Sequence, residues 1–228
     1  MILEKHELFR YLLPELKRLI ARAATTWTTR FSHAVHSYHS SQLQLLSSHI
    51  HDVIPDLETY LPLRSDLSGL HLLLDLVELT ENFNLPPIDE VPYQKLTRLK
   101  RLTIDIICCS LDVVAFNNDQ VQGNHHNLIT VLMTHKNLSL QGAVNLAGSM
   151  IKEMFDSFVE IEKALLGLPR SSQTIKSRDI SSCVRTLKDY IVGTINWAYE
   201  TELYFGKKGE EIRTFGWVFL NSATDSQE

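Results

Sequence analysis

Apolar residues recur at three- and four-residue intervals along nearly the whole chain, the spacing that places side chains on one face of an α-helix. Leu8, Leu12, Leu16, Leu19 and Ile20 form one such stripe, and Trp27, Phe31, Val35 and Tyr38 begin a second. Pro14 falls inside the first, where proline removes a backbone donor and clashes with the preceding turn, so a kink or a helix start is expected there. Pro55 with Asp56 and Glu58, and Pro92 after Asp89 and Glu90, read as helix starts, because proline suits the first turn and carboxylates suit the positive end of the helix dipole. The second start should open the longest buried helix, with Leu96, Leu99, Leu102, Ile106, Leu111 and Val114 or Ala115 along its stripe. Ser139 opens another, through Val144, Ala147, Ile151, Met154, Phe158 and Ile161 to a stop at Gly167-Leu168-Pro169. A last helix is expected from about Asp179 to Phe205, after an exposed loop over 169–177 that lacks apolar periodicity. Period-two alternation is absent except near Phe215 to Leu220. The pattern predicts an all-α fold in a single domain over 1–228, with a disordered tail at 221–228.

Composition narrows the function classes. With 228 residues and 44% hydrophobic content the chain can bury one sizeable core. Its net charge of -5 is spread without a basic block, which argues against a nucleic-acid partner or an anionic membrane surface. The richest apolar stretch, Leu70 to Leu79, is interrupted by His71, Asp75 and Glu78, so no membrane span is expected. Three cysteines, Cys108, Cys109 and Cys183, without metal-ligand spacing, and an N-terminus without a secretory pattern, point to a reduced cytoplasmic protein.

One segment is specific. Gly123-Asn124-His125-His126-Asn127-Leu128-Ile129-Thr130-Val131-Leu132-Met133, followed by His135-Lys136-Asn137-Leu138-Ser139-Leu140-Gln141-Gly142-Ala143-Val144, is similar to the stretch after the second metal motif of bacterial and fungal class I terpene cyclases. Tyr60, Leu63-Arg64 and Gly69 resemble that family's segment around a diphosphate-sensing arginine, and Leu76-Val77-Glu78-Leu79 the helix after it. Asn196-Trp197, Glu200-Thr201 and Tyr204-Phe205-Gly206 resemble its last helix. The resemblance spans about Trp27 to Gly209.

The resemblance implies a class I terpenoid synthase-like helical bundle, lacking the family's N-terminal helices, that binds a prenyl diphosphate or terpenoid. Such enzymes hold the diphosphate with Mg2+ on an aspartate-rich motif and an asparagine-serine-glutamate motif, because magnesium demands oxygen ligands and the departing diphosphate needs neutralising charge. In the register set by Gly123 and His126-Asn127, the three ligands of the second motif fall at Leu111, Ala115 and Asp119, and only the last offers an oxygen. Tight magnesium binding is therefore not expected. Asp112 neighbours Leu111 but points roughly 100° away around the helix. The aspartate-rich motif has no counterpart; Asp52, Asp56 and Glu58 are the nearby carboxylates and fit a capping role better. Arg64 corresponds to the sensor arginine, and the family's arginine-tyrosine pair becomes Leu203-Tyr204, so Arg64 and Tyr204 are the expected diphosphate contacts. Lys207 and Lys208 are poor substitutes for the missing guanidinium. If the helices that carry the first motif are absent, Leu102, Ile106 and the Met150-Met154 stripe should lie partly uncovered, which predicts a homo-oligomer or a partner subunit.

Other constellations have blander readings. Asn118, Gln122 and His126 also fall four apart, but Gly123 should break the helix between them. His33, His36 and His39 suit an exposed polar face better than a transition-metal site. Phe116, Leu111, Ala115 and Trp197, with Tyr199, Tyr204, Phe155 and Phe158, are candidates to line an apolar cavity. Cys108-Cys109 reads as buried and inert. Two functions follow: a cyclase-like protein impaired in magnesium-dependent ionisation of prenyl diphosphates, or a terpenoid-modifying enzyme that uses the inherited cavity without metal.

Overall fold

The computed structural model describes residues 14–15, 17–51, 53–83, 85–167 and 175–220, without the side chains of 175–177. Among them there are helices and no strand: α1 Thr25–His51, α2 Leu57–Leu67, α3 Leu70–Thr80, α4 Val91–Val121, α5 Leu128–Lys136, α6 Leu140–Leu166, α7 Ile175–Glu200, α8 Glu202–Phe205 and, after a 3-10 turn at Gly206–Lys208, α9 Gly209–Phe215. The stretch near Phe215 to Leu220 leaves α9 at Gly216, whose φ of 74° ends the helix, and forms no strand. Most of the first stripe, most of the 169–177 loop and the tail at 221–228 lie outside the described residues.

The helix boundaries follow from capping. Asp56 accepts the Thr59 N–H at 2.8 Å and starts α2. Pro92 lies in the first turn of α4, at 31 residues the longest helix. Ser139 accepts the Gly142 N–H at 3.2 Å to start α6, and Gly167 closes it onto the Lys163 carbonyl at 2.8 Å. The last long helix stops earlier than its apolar pattern suggested. Thr201 adopts an extended ψ of 144° and caps the Leu203 N–H, so the chain bends after Glu200 and Tyr204 sits on a separate short turn.

Helix α4 is the spine between two cores. One face, with Leu96, Leu99, Ile104, Ile106 and Ile107, packs with Leu74 of α3, Phe158 and Leu165 of α6, and Val184, Leu187 and Ile191 of α7. The other, with Cys109 and Phe116, meets Tyr60 of α2, Leu128, Ile129, Val131 and Leu132 of α5, and Ala143 and Ala147 of α6. The expectation of partly uncovered faces is corrected at Ile106, which is closed, whereas Leu102, Met150 and Met154 are half-buried. Ile106 is 1% exposed, Leu102 and Met154 pack on the first core, and Met150 and Met154 on the second, because α6 and α7 close directly over α4. Exposed apolar residues lie elsewhere, on α1 at Val35, Leu43, Leu46 and Ile50 and in the C-terminal segment at Phe215, Trp217 and Phe219.

Helix α1 is held at one end. Trp27 is buried, stacks on Phe31 at 4.7 Å and donates its indole N–H to the Asp75 carbonyl at 2.7 Å. Nearby, Glu78 of α3 receives both Arg30 of α1 and Lys100 of α4, each at 2.6 Å. Further along, Val35 and Tyr38 are exposed, and Ser41 is buried again.

Candidate functional site

Leu111, Ala115 and Asp119, where the second metal motif is expected, share α4 at intervals of about one turn. Leu111 and Ala115 are half-buried and carry no oxygen donor. Asp119 keeps its carboxylate, but both oxygens are engaged: Oδ1 accepts Asn124 Nδ2 at 2.9 Å and Oδ2 accepts Asn127 Nδ2 at 2.8 Å. This carboxylate holds the turn that leaves α4 through Gly123, where φ is 68°. Asn127 is fully buried, caps α5 by accepting the Ile129 N–H at 2.9 Å, and also donates to the Asp112 carbonyl at 2.8 Å. The donor set does not fit a magnesium ion, which asks for several oxygen ligands in near-octahedral arrangement. Among the described residues no three His, Cys, Asp or Glu side chains come together in a way that could hold a metal.

Asp112 emerges as the centre of the polar cluster. Turned away from the metal face, it is 3% exposed and faces α2 and α5. Its Oδ1 accepts Arg64 Nε at 2.8 Å, and its Oδ2 accepts the Tyr60 hydroxyl and the Leu128 backbone N–H, the latter at 3.2 Å. Burial raises the Asp112 carboxyl against the opposing pull of Arg64 and the hydrogen bonds. Burial would lower the Arg64 guanidinium, but Asp112 beside it more than offsets this and holds it above its ordinary value. No spacing rule pointed to Asp112, because its partners lie 48 and 52 residues away; the available signal was a carboxylate on an otherwise apolar helix face.

Tyr204 reaches the same region from the C-terminal segment. Burial raises its phenol, Arg64 opposes that, and Asp119 and Asp112 add to it, so it lies within electrostatic reach of all three. Asn118 donates to the Leu203 carbonyl at 2.7 Å and ties this segment to the end of α4. His126 lies past the helix end, its ring 4.9 Å from that of Tyr60 and its buried Nε2 without a hydrogen-bond partner among the described residues. Burial and the nearby Arg64 lower its pKa to about 4. Asn118, Gln122 and His126 therefore do not form one helical face. His33, His36 and His39 are exposed along α1. The thiols are poor nucleophiles, because burial pushes Cys108 and Cys183 up to about 11.

The aromatic candidates do not converge on one cavity. Phe116 and Phe158 are buried in different cores, whereas Phe155 and Trp197 are each 48% exposed. Leu111 does line an apolar hollow between α4, α6 and α7, with Val114, Ile151, Ile195 and Tyr199, but its volume of about 230 Å³ is smaller than a usual ligand pocket. Trp197 borders another hollow, on the outer face of α7.

A long spine helix packed by flanking helices on both faces, with Arg64 on one of them and a polar helix end beside it, fits the class I terpenoid synthase-like helical fold. Residues 3–157 match the family model described as terpene synthase family 2, C-terminal metal binding, and the chain belongs to this family. That match begins well before Trp27, in the stripe that carries periodicity but no distinctive motif. The chain is 36% identical over 198 residues to sesquiterpene synthase Agr1 of Cyclocybe aegerita, covering 86% of this chain and 56% of that protein. It is 31% identical over 196 residues to sesquiterpene synthase 1 of Postia placenta, with the same coverage of 86% and 56%. The chain thus spans little more than half the length of these relatives. A crystal structure of a-eudesmol synthase superposes with a TM-score of 0.69 at 21% identity, over 82% of this chain and 60% of that one, a likeness of fold. Among the described residues, no helix is long and apolar enough to cross a membrane.

Proposed function

We propose that this chain binds the diphosphate of a prenyl compound through Arg64 and Tyr204, and that α4 does not hold the magnesium ions with which its family ionises such substrates. One observation carries the second half of this reading. Two of three ligand positions are Leu111 and Ala115, and the third, Asp119, spends both oxygens on Asn124 and Asn127. Hydrocarbon side chains contribute nothing to a hard cation, whatever the rest of a longer protein supplies. When bound, the metal cluster would draw off the diphosphate as leaving group. The residues of this chain do something narrower: Arg64 offers a charge-assisted donor to a phosphoryl oxygen, and Tyr204 a phenolic hydroxyl beside it. The reduced, buried state of Cys108, Cys109 and Cys183 is consistent with action in the cytoplasm.

Thermal unfolding with inorganic diphosphate, with and without magnesium, tests the binding. A ligand at a hundredfold excess over its Kd stabilises by about 2.7 kcal/mol. Diphosphate alone should raise Tm, magnesium should add nothing, and Arg64→Ala should remove the shift. Incubation with farnesyl or geranylgeranyl diphosphate and magnesium should give no terpene, and a measured cyclic product would overturn the metal-free reading.

A further inference from the structure

Arg64 is fastened at two of its three nitrogens. Its Nε donates to Asp112 Oδ1 at 2.8 Å and its Nη1 leans on Cys108 Sγ at 3.7 Å, while Nη2 has no hydrogen-bond partner among the described residues. The side chain is 20% exposed and that of Asp112 is 4% exposed, so Nε is fastened inside and the unpartnered Nη2 forms the outer edge left for a ligand. The Asp112 carboxylate itself accepts three donors from two helices: Arg64 and Tyr60 of α2, and the Leu128 N–H at the start of α5.

A guanidinium is a rigid planar fork, so fixing the Nε edge fixes the direction of the remaining N–H groups. An unfastened arginine would have to order its long side chain on meeting an anion, and that ordering weakens binding.

We propose that Asp112 is a positioning residue for diphosphate recognition, which holds Arg64 by its Nε so that the outer guanidinium edge, with Tyr204 nearby, meets a terminal phosphoryl oxygen. The inference rests on the reading of Arg64 as a diphosphate contact. It assigns Asp112 no contact with the ligand and no role in bond breaking. Tyr60 belongs to the frame of the carboxylate, and its loss should loosen the fold without turning Arg64 away.

Arginine Nε–H resonances, followed by NMR in the whole protein during titration with inorganic diphosphate, provide the test. In the natural protein one slowly exchanging Nε–H, absent in Arg64→Lys, should stay protected at saturation, because Asp112 keeps it while the anion takes the outer edge. Asp112→Asn should lose this protection and weaken diphosphate roughly tenfold, with the helical circular dichroism retained. Tyr60→Phe should lower Tm yet hold affinity within about threefold. Unchanged diphosphate affinity in Asp112→Asn would overturn the inference, as would loss of Nε–H protection when diphosphate binds the natural protein, a measurement that needs no variant. An Arg64 resonance that is protected but insensitive to diphosphate, with affinity unchanged in Arg64→Lys, would show that the diphosphate reading itself fails, and the inference with it.

Discussion

His126 keeps a neutral imidazole where a charged one is costly. Its Nε2 is buried without a hydrogen-bond partner among the described residues, its ring lies against Tyr60, and Arg64 is close by; the folded pKa is about 4, below the ordinary value near 6.5. Above about pH 6.5 the ring is neutral in both folded and unfolded chains and its contribution to stability is complete. Between about pH 6.5 and 4 the unfolded chain binds the proton first, so stability falls as the pH falls. Urea unfolding between pH 7.5 and 4.5 should show this loss, and His126→Phe should flatten it while retaining the ring packing. His71, whose pKa burial also lowers, should leave a residual slope of the same sign. Asn127 is the second sensitive residue, for it caps α5 and donates to both the Asp112 carbonyl and the Asp119 carboxylate. Asn127→Ala should cost about 2–4 kcal/mol, from the lost cap and two orphaned acceptors. Denaturant midpoints at constant slope would measure it.

At the scale of elements, α6 reaches α4 and α5 through Ala143 and Ala147, both fully buried. Small side chains allow that close approach, so Ala147→Leu should overpack the second core and destabilise by about 1–3 kcal/mol. Leu146→Ala, at a half-buried position on the same helix, should cost less, and a reversed order would show that the contact is looser than the packing indicates. Helix α4 also explains why the polar cluster is rigid. Its flank carries Asp112 to α2 and α5, and its end carries Asn118 to the C-terminal segment, so one long element aligns three others.

For the whole molecule, the position of exposed apolar surface decides how copies meet. Leu43, Leu46 and Ile50 are 57%, 56% and 70% exposed on α1, and residues 31–51 contain no aspartate, glutamate, lysine or arginine to oppose association. Large exposed apolar strips tend to be covered. Sedimentation over a wide concentration range should show reversible association, weakened by Leu46→Glu with Ile50→Glu. A monomer at every concentration would count against this. Substitution at Leu102 or Met154 should instead lower stability, because both pack on the core.

Helix positions were largely legible without coordinates, since periodicity and capping act within a few residues: Asp56, Pro92, Ser139 and Gly167 mark ends that the structure reproduces. Family membership was legible too, because the Gly123 to Val144 stretch carries residue types at characteristic spacing. The break at Thr201 was not, because an apolar stripe continues across a cap. Nor was the role of Asp112. Its direction from Leu111 followed from helix geometry, but what it points at depended on where α2 and α5 pack, and Tyr60 lies 52 residues away. The same holds for Glu78 between Arg30 and Lys100, and for the face of Ile106, covered only once α6 and α7 close over α4. Local interactions select a residue's conformation from its neighbours in sequence. Burial, ion pairing and cavity shape arise between segments far apart in the chain, so only the packed tertiary structure decides them.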